Sequence, residues 1–336
     1  MKTTVLHDLD FDRDGKQQSC LRVPQSRNRA GWGTVEIPIT VVKNGRGPTV
    51  LFTGGVHGDE FEGQIAVSRL ARELDPAMVR GRVIMIPAVD LPAALTATRF
   101  CPIDNKDMNR CFPGDPAGTF SQKLAHFIDS VLLPLVDVSV DIHTAGSSMD
   151  SALSTNMHFL PDPERMRRTL DAAAAFGAPY NVVFWSVDEG ATLTSSVERR
   201  GILSLGTELG GYARVSVPGV RVAERGLRNV LKHFGVIEGE PDLAQDDGSH
   251  GTRHMQVRDA SHFIFAPAEG LYEPRHRVGE RVEAGESAGF IHFIEDFARP
   301  PIELKYPRSG VLWMVQGPGR PRKGDAIVVV MSPYEG

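Results

Sequence analysis

The chain has 336 residues and a formal net charge of −5 at pH 7, with 41% hydrophobic and 24% charged residues. Acidic and basic residues are mixed along the sequence, which excludes the basic face that nucleic-acid binding requires. No uncharged apolar run approaches the roughly 20 residues that span a bilayer, so a membrane partner is not expected either.

Cysteine usage and the first segment of the chain indicate the compartment. The three cysteines, Cys20, Cys101 and Cys111, cannot all pair with one another and form no C-x-x-C motif, which favours a reducing compartment. Residues 1–17 are rich in charged side chains and lack the apolar stretch of a secretory signal. We therefore expect a soluble, cytoplasmic protein. This composition is also compatible with a homo-oligomer.

The first elements are predicted from alternation and turn residues. Residues 35–42 alternate loosely, and an Asn-Gly dipeptide leads from them to the apolar run 48–52, which predicts a hairpin that feeds a buried strand. Apolar residues at near-helical spacing predict a helix over residues 61–74, closed by an Asp-Pro pair. Residues 83–87 predict another short strand.

The middle of the chain alternates predicted helices with predicted strands. Thr119 followed by Gln122 indicates a capping box ahead of an amphipathic helix that extends to Val131. Strands alternating with helices imply an α/β sheet that is layered by helices. The further elements are a strand over 136–143, a helix over 164–176, a strand over 202–205 and a helix over 223–234.

The composition changes after residue 240, and we predict three segments. Residues 1–240 form the catalytic domain, the acidic and Gly-rich residues 241–254 form a linker, and residues 255–336 form a smaller C-terminal all-β domain. Short strands and turns replace the helical pattern in the last segment.

The C-terminal segment contains an internal repeat of roughly forty residues per unit. The Pro-x-x-Gly at residues 267–270 is answered by the one at 307–310. This repeat resembles the two halves of a biotinyl/lipoyl-type barrel-sandwich, in which a lysine carries the cofactor. Arg299 stands in the corresponding hairpin, so we expect no covalent cofactor and interpret this part as a structural or lid domain.

The first chemically informative segment is an H-x-x-E pair, His57 and Glu60, which follows the predicted strand at 48–52. Across one turn this spacing can bring an imidazole nitrogen and a carboxylate oxygen onto one metal ion. Catalytic zinc usually takes three protein ligands and keeps a fourth position open. Alone, such a pair is a weak signal, and Asp59 is an alternative carboxylate that one turn would aim away from His57.

The third ligand has to come from another segment, and His143 is the candidate. It lies at the carboxyl end of an alternating strand, where open α/β sheets place their ligand sites. A metal hydrolase also needs a base for the attacking water, and Glu208 fits because it follows the strand at 202–205 between glycines. Without the other segments, a histidine at the end of a strand or a glutamate in a loop would more often have a structural role than a catalytic one.

The segment from Arg99 to Gly114 offers groups that bind anions. Arg99, Asn109 and Arg110 could clamp a carboxylate and stabilise an oxyanion. Arginines in loops are usually only solvated. This segment therefore indicates a binding site only in combination with the candidate metal ligands and the candidate base.

Taken in order, these motifs resemble the succinylglutamate desuccinylase/aspartoacylase family, which is related to the zinc carboxypeptidases. The resemblance implies a mixed α/β sheet flanked by helices, as in the zinc carboxypeptidases, and hydrolysis of the amide bond of an N-acyl amino acid. The motifs are H-x-x-E at His57 and Glu60, Arg99, N-R-x-F-P-G at 109–114, D-I-H at 141–143 and T-E-L-G at 207–210.

The same resemblance implies a role for each candidate residue. One zinc ion per chain would be held by His57, Glu60 and His143, and Glu208 would be the general base and acid. Arg99 would polarise the scissile carbonyl, while Asn109 and Arg110 would hold the substrate carboxylate.

Within the family, residues 22–26, 102–104 and 223–229 and the C-terminal repeat resemble the N-α-acetyl-L-2,4-diaminobutyrate deacetylases of ectoine degradation. The side-chain amine of that substrate needs a nearby acid, for which Asp150, Asp188 and Glu189 are the candidates. The alternatives are desuccinylase, aspartoacylase or carboxypeptidase activity and, in a different class, a non-catalytic ligand-binding module.

Overall fold

The computed structural model describes residues 3–185, 190–245 and 251–336. Asp188 and Glu189 therefore lie outside the described residues. Within these ranges most strands belong to one large mixed sheet. The strands are β1 (Gly15–Arg27), β2 (Ala30–Asn44), β3 (Thr49–Gly54), β4 (Gly81–Ile86), β5 (Val138–Ile142), β6 (Met149–Ser151), β7 (Ser154–His158), β8 (Tyr180–Phe184), β9 (Leu203–Glu208), β10 (Arg253–Val257), β11 (Phe263–Phe265), β12 (Leu271–Pro274), β13 (Arg281–Val282), β14 (Ser287–His292), β15 (Ile302–Lys305), β16 (Gly310–Gln316) and β17 (Ala326–Pro333).

Helices pack on both faces of this sheet. Among the described residues, none of them combines the length and apolar character required to cross a bilayer. The α-helices are α1 (Phe61–Glu73), α2 (Leu91–Thr96), α3 (Phe120–Phe127), α4 (Pro163–Phe176), α5 (Leu193–Arg199) and α6 (Val217–His233).

The large sheet is ordered β1-β2-β4-β3-β5-β9-β7-β8-β10-β17-β16-β13, with β11 beside β17 and β6 beside β16. Its centre is parallel: β3 lies between β4 and β5, and β5 lies between β3 and β9. The carboxyl ends of β3, β5 and β9 therefore meet at one edge of the sheet, where ligand sites of open α/β sheets are found.

The α/β fold that the sequence predicted is confirmed, and its centre is buried on both sides. Phe52 packs in a core cluster with α1, α4 and α6, while its neighbour Leu51 packs in a second cluster on the opposite face. This alternation follows from the two-residue period of a strand. All six residues of β3 are buried, as expected of a strand covered by helices on both faces.

The predicted hairpin between residues 35–42 and 48–52 is wrong. β2 pairs with β1 and, antiparallel, with β4, and β4 lies between β2 and β3. The reason is the crossover through α1, which returns the chain beside β3 in parallel orientation and fills the position that a hairpin would have taken. The real hairpin is formed by β1 and β2.

The helix predictions are confirmed with small shifts at their ends. The capping box is present, with the backbone N–H of Thr119 donating to Oε1 of Gln122 at 3.0 Å. Helix α6 begins at Val217, earlier than the predicted residue 223, because Ser216 caps it and Pro218 lies in its first turn. Proline is accommodated there, since the first N–H groups of a helix have no partner inside the helix.

The C-terminal residues form antiparallel strands, and in the described part of the chain they close no barrel. β12, β14 and β15 make a separate three-stranded sheet, while β16 and β17 continue the large sheet through β10. β16 also pairs with β6, which places Met314 beside the segment that follows His143. The division of the chain at residues 241–254 stays a prediction.

Candidate active site

His57 and Glu60 lie in the turn between β3 and α1. The chain passes so close to α2 at Gly58 that a Cβ there would lie 2.0 Å from the carbonyl carbon of Ala93, which requires glycine. Glu60 occupies the N-cap position of α1. Both side chains are almost fully buried, and Nδ1 of His57 lies 2.7 Å from Oε1 of Glu60.

His143 follows β5 directly and completes the group. Its Nδ1 lies 2.7 Å from the other carboxylate oxygen of Glu60, and its ring centroid is 5.0 Å from that of His57. The Thr207 hydroxyl fixes the backbone of His143 through two hydrogen bonds of 2.9 Å. It accepts from the N–H of His143 and donates to its carbonyl oxygen. One ligand atom of each of the three side chains lies within 4.8 Å of the others.

Two further carboxylates orient the imidazoles. Oδ2 of Asp141 lies 2.7 Å from Nε2 of His143, and Oδ1 of Asp107 lies 3.1 Å from Nε2 of His57. A carboxylate on the outer nitrogen favours the tautomer that leaves Nδ1 unprotonated, the arrangement seen around metal-binding histidines. In that tautomer both Nδ1 atoms are acceptors, and both lie next to the acceptor oxygens of the Glu60 carboxylate.

The charge around these histidines favours a cation. Burial lowers the pKa of His57, but Glu60 and Asp107 outweigh burial and raise it. Burial likewise lowers the pKa of His143, while Asp141 and Glu60 raise it well above its ordinary value. The same excess of negative charge that retains protons on these rings would attract a metal ion.

Glu208 ends β9 next to this group. Its Oε2 is shielded from solvent and has no hydrogen-bond partner among the described residues. Burial, reinforced by the charge of Glu60, raises the pKa of Glu208 to about 8. A cation bound by the neighbouring histidines would oppose this shift and favour the carboxylate form.

Arg99 extends over the histidines from the loop that follows α2. Asp107 accepts from Nε and Nη2 of Arg99 at 3.2 and 3.0 Å, and Nη1 lies 4.0 Å from Oε1 of Glu60. Asp107 also caps the short 3₁₀ turn that carries Asn109. One carboxylate thus positions an arginine, an imidazole and the turn.

Asn109 and Arg110 lie on the rim of the same cavity. Oδ1 of Asn109 accepts from the N–H of Leu193 at 2.9 Å, so the group that Asn109 can offer a ligand is its NH₂ donor. Arg110 is exposed and donates to the backbone carbonyl of Asn109. Both side chains present donors, which are what a carboxylate binds.

The structure brings seven candidate residues from the sequence to one cavity of ≈ 270 Å³: His57, Glu60, Arg99, Asn109, Arg110, His143 and Glu208. Reasoning from motifs did not assign a second part of the wall, which comes from the segment after His143, from strands β6, β7, β8, β9 and β16, and from the start of α5. The additional lining residues are Thr144, Ala145, Ser148, Met149, Asn156, Met157, His158, Phe184, Thr192, Thr194, Gly206 and Met314.

The polar residues of that wall could have been predicted from their spacing in the sequence. Asn156 and His158 alternate on one face of a strand, and Oδ1 of Asn156 would lie 2.2 Å from a Cβ at position 206, which explains the glycine there. His158 is held by Glu198 at 2.7 Å. Polar residues at alternate positions of a buried strand indicate a wall that faces a ligand.

Two of the weaker suggestions from the sequence are placed elsewhere. Asp59 accepts from the N–H of Ser147 at 2.8 Å and is outside the group that could hold a metal. Asp150 is in β6, next to Met149, and does not line the cavity. Its carboxylate therefore does not face a ligand bound there.

Comparison with known proteins agrees with this geometry. Residues 46–234 match the succinylglutamate desuccinylase/aspartoacylase catalytic domain. The N-α-acetyl-L-2,4-diaminobutyric acid deacetylase of Halomonas elongata is 37% identical over 327 residues, which cover 97% of this chain and 94% of that protein.

Solved structures agree over the whole length. A succinylglutamate desuccinylase/aspartoacylase from Rhodobacter sphaeroides has a TM-score of 0.97 and 62% identity, covering 99% of this chain and 100% of that one. The product-bound ectoine utilization protein EutE of Ruegeria pomeroyi has a TM-score of 0.93 and 36% identity, with the same coverage. The chain therefore belongs to the succinylglutamate desuccinylase/aspartoacylase family.

Proposed function

We propose that this protein is a zinc-dependent hydrolase that removes the acetyl group from N-α-acetyl-L-2,4-diaminobutyrate, giving diaminobutyrate and acetate. The observation that carries the proposal is the convergence of His57, Glu60 and His143 beside Glu208, whose buried oxygen has no partner among the described residues. The acetylated substrate is suggested by the relative from Halomonas elongata, which bears that activity in its name.

The donor set fits zinc. Zinc takes imidazole nitrogen and carboxylate oxygen, and catalytic sites use three protein ligands. His57, Glu60 and His143 offer such atoms, and the carboxylates of Asp107 and Asp141 orient both rings. When bound there, zinc would polarise the acyl carbonyl and lower the pKa of a water molecule.

In this proposal Glu208 moves the proton. It takes a proton from the water that attacks the acyl carbon and returns it to the nitrogen as the C–N bond breaks, so that the amine leaves neutral. Its position at the end of β9, within the same cavity as the three ligands, suits that transfer.

Arg99, Asn109 and Arg110 bind and orient the substrate in this proposal. The Arg99 guanidinium, fixed by Asp107 near Glu60, donates to the acyl oxygen as negative charge develops on it. Loss of one such donor typically costs about 3 kcal/mol in the barrier. Asn109 and Arg110 donate to the α-carboxylate of the substrate from the rim.

The lining of the cavity favours a substrate with a single carboxylate. Among the described lining residues the arginines are Arg99 and Arg110, and His158 already faces a carboxylate of this chain, Glu198. A succinyl group carries a second carboxylate and would need a further cation.

The direct test combines elemental analysis with amine release from N-acetyl-diaminobutyrate, N-acetyl-aspartate and N-succinyl-glutamate. We expect about one zinc per chain, the stoichiometry of a mononuclear catalytic site, and release from the first substrate alone. Zinc with preference for another of the three would contradict the proposed substrate. A protein without metal that stays inactive after zinc is added would be a binding module.

The carboxylate behind His143 provides a separate prediction. Asp141→Asn should weaken zinc binding by about 10–100-fold, because the partner of a metal-binding imidazole loses its charge. Chelator competition measures this affinity directly. Asp137→Asn, on the exposed residue just before the same strand, is the matched control and should leave zinc affinity unchanged. Equal affinity in both variants would show that Asp141 is only structural.

A further inference from the structure

Among the described residues, the two most exposed large apolar side chains lie on two projecting turns. Trp32 is 99% exposed near the end of the β1–β2 hairpin, and Phe297 is 96% exposed in the connection between β14 and β15. We call residues 27–33 the arm tip and residues 294–297 the acidic loop. Ile294, 62% exposed, adds to the apolar surface of the acidic loop.

The hairpin that carries the arm tip extends beyond the sheet. β4 pairs only with residues 40–44 of β2, so the rest of β2 has β1 as its one neighbour in the sheet. None of residues 24–36 is buried. At about 3.3 Å per residue, the exposed part of β2 extends about 20 Å. An isolated two-stranded hairpin of this kind gains little stability by itself, which suggests a contact that covers it.

The two surfaces have opposite charge. The arm tip carries Arg27 and Arg29 with no acidic residue, and the acidic loop carries Glu295 and Asp296. All four side chains are exposed and form no ion pair with another described residue. The neighbouring Arg299 lies 3.5 Å above the ring of Phe293 and so is bound to its own chain.

We infer that the arm tip of one copy of this chain docks on the acidic loop of a second copy. Trp32 packs against Ile294 and Phe297 of the other copy, and the two arginines face the two acids. Both surfaces remain exposed within one chain, so they do not cover each other there. Two reciprocal contacts close a two-fold dimer, the commonest symmetry of oligomers.

The charges argue against the simpler self-contacts. Two arm tips would bring arginines together, and two acidic loops would bring carboxylates together, which costs affinity. Tryptophan and arginine are also the residue types that dominate binding energy at protein interfaces. Contact between an arm tip and an acidic loop therefore pairs opposite charges and buries apolar side chains of both surfaces.

Charge reversal tests this arrangement by sedimentation velocity and light scattering at micromolar concentration. Wild type should have twice the chain mass of 36.7 kDa. Arg27→Glu with Arg29→Glu, or Glu295→Lys with Asp296→Lys, should raise the dissociation constant at least about 100-fold, since like charges then face each other. The fourfold variant that combines both pairs should recover the dimer.

The matched control is Arg13→Glu with Arg46→Glu, which makes the same change in net charge at two exposed positions elsewhere. It should leave the dimer intact, and Trp32→Ser should give a monomer with an unchanged melting temperature. A monomeric wild type would overturn the inference, and so would a fourfold variant that stays monomeric. Loss of the dimer only on changing the arm tip would indicate self-contact of the hairpins and also overturn it. Because the contact lies outside the cavity residues, none of these results depends on the hydrolase activity.

Discussion

Glu208→Gln is expected to lower kcat by about 10²–10⁴-fold, the usual contribution of a general acid–base residue, while zinc content stays unchanged. Glutamine retains the shape of the side chain but neither takes nor returns a proton. Because Glu208 is not among the three residues whose donor atoms converge, its loss should not remove the metal. Steady-state kinetics with elemental analysis of the same preparation measures both quantities.

The control for this variant is Glu238→Gln, which makes the same chemical change on an exposed residue beyond α6. It should leave kcat and zinc content at the wild-type level. If Glu208→Gln kept the wild-type rate, another group would be the base. Loss of zinc together with activity would instead make Glu208 a ligand.

His143→Ala is expected to abolish turnover and to weaken zinc binding by more than about 100-fold. The removal of an orienting carboxylate already costs 10–100-fold, and the removal of a ligand should cost more. The variant also leaves the Glu60 carboxylate with one imidazole instead of two. Chelator competition with the purified protein gives the affinity, and the amine-release assay gives the rate.

His158→Ala is the matched control, because His158 lies in the same cavity but outside the three converging side chains. It should keep zinc affinity within a few-fold of wild type, whatever it does to substrate binding. An His143→Ala protein with wild-type zinc affinity would show that the metal binds elsewhere. Reduced zinc binding in both variants would mean that the ligand set needs revision.

Local patterns were sufficient for most helices and for the order of the motifs. The capping box at Thr119, the helix after Asp162 and the buried strand after Pro48 depend on contacts between residues close in the chain. Such short-range spacing is visible in the sequence because one helical turn or one strand period repeats within a few residues. His57 and Glu60 are likewise only three residues apart, so their proximity was visible in the sequence.

The pairing of distant strands was not visible in this way. The hairpin predicted for residues 35–52 fails because β4 inserts between β2 and β3. Turn residues indicate that a chain reverses, but they do not say which strand will lie beside it. That choice depends on how the α1 crossover packs on the sheet.

The sequence by itself determined most of the helices, the central strands β3, β4, β5 and β9, the family, and the motif residues from His57 to Glu208 that converge at the cavity. The tertiary structure alone decided that Asp107 and Asp141 stand behind the two histidines, and that Asn156, His158 and Met314 complete the wall. These residues come from strands and loops far apart in the chain, so no local period connects them. Only the packing of the sheet, with β7 against β9 and β16 against β6, brings them to one place.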